Sequence, residues 1–125
     1  MANDLTTFYS TGYTPDRLLI GRTGITSKKL TLISGQNLTR GALLGIITAS
    51  GKATLSLAAS SDGSQTPDCI LAEDANATSG DVDALVYIRG QFDASAMTFG
   101  TGQTVANTYQ TLRGKGIDII TAMVP

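Results

Sequence analysis

Six carboxylates, Asp62, Asp68, Glu73, Asp74, Asp81 and Asp83, crowd the middle of the chain, and by number they are the side chains best supplied for chemistry. Two would suffice for a paired acid and base of the glycoside-cleaving kind. They fall in stretches of turn composition, however, where solvated charge or hydrogen bonding to the turn's own amides is the ordinary use. The chain contains no histidine. That removes the commonest general base, the commonest metal ligand and the base of Ser-His-Asp or Cys-His arrangements. Oxygen-bearing side chains at Asp74, Asn76 and Thr78 follow the first, third and fifth positions of a calcium loop. The glycine then comes one place late, and Leu85 stands where a bidentate Glu is needed. Gly100-Thr101-Gly102-Gln103-Thr104 has the look of a phosphate loop but lacks its lysine, and reads as a turn into a helix. Cys69 is the single cysteine, flanked by Asp68 and Ile70-Leu71-Ala72. A reactive thiol needs an electropositive, exposed setting, so this one is expected to be a small buried hydrophobe. No catalytic, cofactor-binding or metal-binding residue is therefore expected.

The bulk composition points away from chemistry and towards association. At 125 residues the chain suits one core. Hydrophobic residues make up 42% and charged residues only 15%, against about 25% charged in ordinary soluble domains. With a mean hydropathy of +0.10 and few charges to cover its surface, the chain is expected to bury apolar area against other chains. Residues 1–52 are net basic and residues 53–125 net acidic, a split that can give subunits opposite faces. No basic stripe is present, so direct nucleic-acid binding lacks its main energetic term. No apolar run approaches the roughly 18 residues of a membrane span, and Met-Ala-Asn-Asp-Leu does not begin a signal peptide. Synthesis and assembly in a host cytoplasm are the expectation.

The elements that must position any working surface are short. Residues 1–15 are rich in Thr and Ser yet keep Phe8, Tyr9 and Tyr13 before Pro15, and aromatic anchors are what a segment that orders on docking retains. Read as an extended arm, it places Leu5, Thr7 and Tyr9 on one side and Thr6 and Phe8 on the other. Residues 16–125 form the second unit, a β domain. Strands are expected at Leu18 to Ile20, Leu30 to Ile33, Ala42 to Thr48, Ala53 to Leu57, Cys69 to Ala72, Val82 to Phe92 and Ile117 to Val124, separated by glycine and polar turns. Asp93 can cap a short helical turn over Ala94 to Met97. Thr104 can cap a helix over Val105 to Arg113, with Val105, Tyr109 and Leu112 on one face and Gly114 or Gly116 ending it. The fold class is mainly β, a small α+β domain with one or two short helices.

One ordered series is more specific. The loop Ser61-Asp62-Gly63-Ser64 leads to Ile70-Leu71-Ala72-Glu73-Asp74 and then to Gly80-Asp81. The strand Ala84-Leu85-Val86-Tyr87-Ile88-Arg89-Gly90-Gln91-Phe92 and Ala96-Met97-Thr98-Phe99 follow in order. Together these resemble the head decoration proteins of lambda-like tailed bacteriophages, over residues 38–123. Met97 stands where the family more often has Leu, a volume-conserving exchange. The resemblance implies a compact β-clip or β-tulip domain. It implies a homotrimer that binds the major capsid protein at three-fold and quasi-three-fold positions on the outer surface of the virion. It also implies stabilisation of the expanded head against packaged DNA. On that view Leu5, Thr6, Thr7, Phe8, Tyr9 and Tyr13 form the capsid-binding arm, and the protein is not an enzyme. Two other readings stay open: a trimeric β-clip nucleotide hydrolase of the dUTPase kind, and a tail or baseplate binding module.

Overall fold

Two apolar runs explain the architecture. Leu43-Leu44 and Cys69-Ile70-Leu71 are buried without alternation, which a strand shows when both of its faces are covered. In the computed structural model, which describes residues 18–19 and 24–120, both runs lie in the middle of a six-stranded sheet. Strand β3 (Leu43–Ile46) pairs on one edge with β4 (Ala53–Leu55) and on the other with β5 (Pro67–Leu71). Strand β5 pairs with β7 (Val82–Asp93), and β7 carries β1 (Thr26–Leu32) antiparallel along its opposite edge. A parallel contact from β1 to β4, at Leu32 opposite Ala53, closes the ring into a small barrel.

Each face of the sheet has its own core. Leu32, Leu44, Cys69, Leu71, Ala84 and Val86 fill the inside of the barrel. Leu43, Ile70 and Phe92 point the other way and pack with Leu18, Leu112, Ile117 and Ile119. This second core exists because β7 outruns the barrel: its last four residues pair parallel with β8 (Ile117–Ile120). Helix α1 (Val105–Gly114) connects across that face. Its N-terminus carries a reciprocal cap, in which the Asn107 amide donates to the Thr104 hydroxyl and the Thr104 amide donates to the Asn107 side chain. Val105, Tyr109 and Leu112 face the core, as their spacing predicts.

Asp93 caps a single 3-10 turn at Ala94–Ala96, accepting from the Ser95 amide at 2.9 Å and from its hydroxyl at 2.8 Å. The chain thus has one α-helix among the described residues. The first strand begins at Thr26, four residues before the expected Leu30. Thr26 to Lys29 are exposed and carry no apolar alternation, so only the length of β7 opposite them makes them a strand. Of the strand expected over Leu18 to Ile20, Leu19 forms an isolated bridge with Phe92, while residue 20 lies outside the described residues. The final strand is described as far as Ile120, and residues 121–125 lie outside the description. A two-stranded ribbon of β2 (Asn37–Leu38) and β6 (Ala75–Asn76) was not anticipated, because strands of two residues have no period to read. Strand β1 lies along β7, and Lys52 meets Asp81 at 2.6 Å, so basic and acidic segments interleave.

Candidate docking surface

The residues expected to form the docking arm, Leu5, Thr6, Thr7, Phe8, Tyr9 and Tyr13, lie outside the described residues. Their point of attachment does not. Leu18 is 2% exposed and sits in the core with Phe92 and Ile119. Its carbonyl accepts the Asp93 amide at 2.7 Å, and Leu19 bridges Phe92. These contacts fix Leu18 and Leu19 to the end of β7.

The carboxylates that stood out in the sequence are distributed among separate local duties. Asp62 accepts from the Ser64 amide and hydroxyl, and these bonds hold its carboxyl below the usual carboxylate range. Asp74 takes the Arg40 amide at 2.8 Å. Asp81 takes the Ser34 amide and the Lys52 ammonium, which likewise depress its pKa. Asp68 faces Lys115 at 3.8 Å, and Glu73 and Asp83 are exposed. Asn76 accepts from Thr78 and Asp74 from Arg40, so the calcium-loop pattern is spent on turn closure.

The buried polar groups close on each other in the same way. Ser56 donates to the Ser64 carbonyl at 2.7 Å, and Gln103 donates to Ser56 and to the Gln65 carbonyl. This set ties the loop before β5 to the turn before α1. Arg40 donates to the Ala72 carbonyl and the Tyr87 hydroxyl while its guanidinium lies 5.4 Å from the Tyr87 ring, pinning β5 to β7. Cys69 is 1% exposed, and burial, reinforced by the neighbouring Asp68 charge, pushes its thiol up to about 12. Iodoacetamide at pH 8 is accordingly expected to leave Cys69 unmodified in the folded protein and to alkylate it in denaturant. Mass spectrometry of both samples checks this, and stoichiometric labelling of the native protein would contradict it.

A concavity of about 660 Å³ lies between β1 and the β3–β4 hairpin. Its walls are Leu30, Ile46 and Ile88, with Cys69 beneath, and Lys28, Arg89 and Lys115 stand at its rim beside Asp68. Sequence inspection missed this grouping because the three cations come from β1, β7 and the turn after α1. No local spacing links them. The mixture of apolar walls and exposed charges suits recognition of another chain more than the orientation of a small substrate, which needs convergent, fixed polar groups.

The comparison with curated proteins gives no match. Residues 7–115 match the family model described as Bacteriophage lambda head decoration protein D. That span opens among the residues expected to form the arm and runs through the barrel, Asp93, the capped helix and Lys115. Its members are structural components of the phage head exterior and not an enzyme family. A mainly β barrel whose polar groups are occupied in holding turns together, matched to this family over most of its length, belongs to the bacteriophage lambda head decoration protein D family and serves in phage capsid decoration.

Proposed function

We propose that the protein acts as a homotrimeric cement. It seats at three-fold and quasi-three-fold positions on the major capsid protein and holds the expanded head against the pressure of packaged DNA. The domain is a β-tulip-like body, residues 16–125, and the arm of residues 1–15 is its main grip on the shell. The observation that carries this reading is the family match over residues 7–115, which includes the second half of that arm. The buried attachment at Leu18 and Leu19 supports it, since an arm can transmit load only from a fixed root.

Three-fold symmetry makes the energetics workable. Three linked copies of a weak contact bind far more tightly than one, by about 100-fold or more when the spacing fits. An extended arm pairing with an exposed strand edge of the shell draws affinity from backbone hydrogen bonds and register from alternate side chains.

The test is deletion of residues 2–14. The truncated protein is expected to keep its far-ultraviolet circular dichroism and its trimer, and to lose about 100-fold or more in affinity for undecorated expanded heads, measured by co-sedimentation. Unchanged binding would remove the arm from the mechanism. Light scattering that shows a monomer at micromolar concentration would remove the trimer.

A further inference from the structure

The barrel is not closed along its whole height. Strand β1 meets β4 at one position only, Leu32 opposite Ala53, with the Ile33 amide donating to the Ala53 carbonyl at 2.9 Å. From Thr26 to Thr31 the edge of β1 that faces away from β7 has no strand partner among the described residues. The opposite bank is the β3–β4 hairpin, with Ile46 and Gly51 at the cleft. The concavity described above is this seam seen from outside.

We propose that the seam receives an extended, acidic segment of the shell protein, added as a strand along residues 26–31. Three independent features agree on that chemistry. An unpaired edge offers amides and carbonyls in strand spacing, which only another extended backbone satisfies fully. Leu30, Ile46 and Ile88 give apolar contact to the side chains that point inward. Lys28, Arg89 and Lys115 line the rim against the one carboxylate of Asp68, so the incoming strand must bring negative charge. The lysines Lys28 and Lys29 also discourage pairing between like edges, as charges on edge strands do. Against an acidic strand the same charges become attractive.

A second copy is a poorer occupant. Pairing like edges would bring Lys28 and Lys29 of both chains together, and of its described carboxylates Asp62, Asp74, Asp81 and Asp93 are held by local amides. The proposal rests on the capsid-binding function argued above and adds a second contact to the arm, made in the opposite sense: here the decoration protein accepts a strand instead of donating one.

Hydrogen–deuterium exchange of the full-length protein, alone and bound to undecorated expanded heads of the phage that encodes it, tests this. Amides in residues 26–31 are expected to slow about tenfold or more on binding, separately from any change in the arm. The double variant Lys28→Glu with Arg89→Glu, both exposed, is expected to keep its fold and trimer and to bind heads about tenfold more weakly. Its deficit should shrink in high salt. Bound protein slowed only outside residues 26–31, or the double variant binding as the unaltered protein does, would overturn the strand site while leaving capsid decoration intact. Slowing of residues 26–31 in the free protein that rises with its concentration would assign the seam to a second copy and overturn the proposal. Failure of the unaltered protein to bind heads would overturn both readings together.

Discussion

Gly45→Ala is expected to cost about 3 kcal/mol or more, at the upper end of what overpacking does to a well-packed interior. A Cβ at residue 45 would lie 2.0 Å from the Ser64 carbonyl oxygen and 2.7 Å from its carbon. The obstacle is backbone, and that backbone is held from several sides. The Ser64 carbonyl accepts the buried Ser56 hydroxyl, the Ser64 amide donates to Asp62, and the next carbonyl, of Gln65, accepts from Gln103. Moving Ser64 aside breaks that set, and leaving buried polar groups unpaired costs further. Gly45 also sits at the register shift between β3 and β5, so the strand has no slack to bend away. Domains of this size are stable by about 5–15 kcal/mol, and such a loss is visible as an early midpoint in urea or as failure to accumulate in soluble form. Gly80→Ala is the matched control: nothing lies within 4 Å of its Cβ position, so its effect should stay within about 0.5 kcal/mol. Equal stability of the two variants would show that the close approach at Gly45 is not a constraint.

Phe92→Ala is expected to lose about 3–5 kcal/mol, the usual cost of emptying a large buried aromatic site. The side chain is fully buried among Leu18, Leu43, Ile70, Ile117 and Ile119, with its ring 5.4 Å from that of Tyr87. Its position gives the variant a second consequence. Phe92 bridges Leu19 and packs on Leu18, so the cavity lies directly under the two residues from which the proposed arm would start. At a temperature where the variant remains folded, its binding to expanded heads should therefore fall even though no surface residue has changed. Phe92→Leu fills most of the space and is expected to retain both stability and binding far better. Urea denaturation with parallel co-sedimentation reads both effects. A Phe92→Ala protein that is destabilised yet binds at full strength would show that the arm works without a fixed root.

Family membership and the absence of a reaction centre as an expectation came from features that neighbours in sequence share. The Thr104 cap, the Asp93 turn and the apolar face of α1 are set by residues within four positions of each other. Local hydrogen bonds and the 3.6-residue period decide them wherever the segment is placed. The long strand from Val82 was likewise legible from its apolar-rich content. The arm was legible as a candidate from its aromatics, and its docking role stands as a proposal.

What the order of residues could not disclose depends on pairing between distant segments. Thr26 to Lys29 are polar and exposed, and they form a strand only because β7 is long enough to lie beside them. The ribbon of β2 and β6 is too short to carry a period. The seam, its unpaired edge and the cations Lys28, Arg89 and Lys115 exist only once the barrel closes at Leu32 and stays open at Thr26. Local propensity reaches over a few bonds, whereas a surface assembled from four strands and two turns is a property of register. Backbone hydrogen bonds across the whole sheet decide that together.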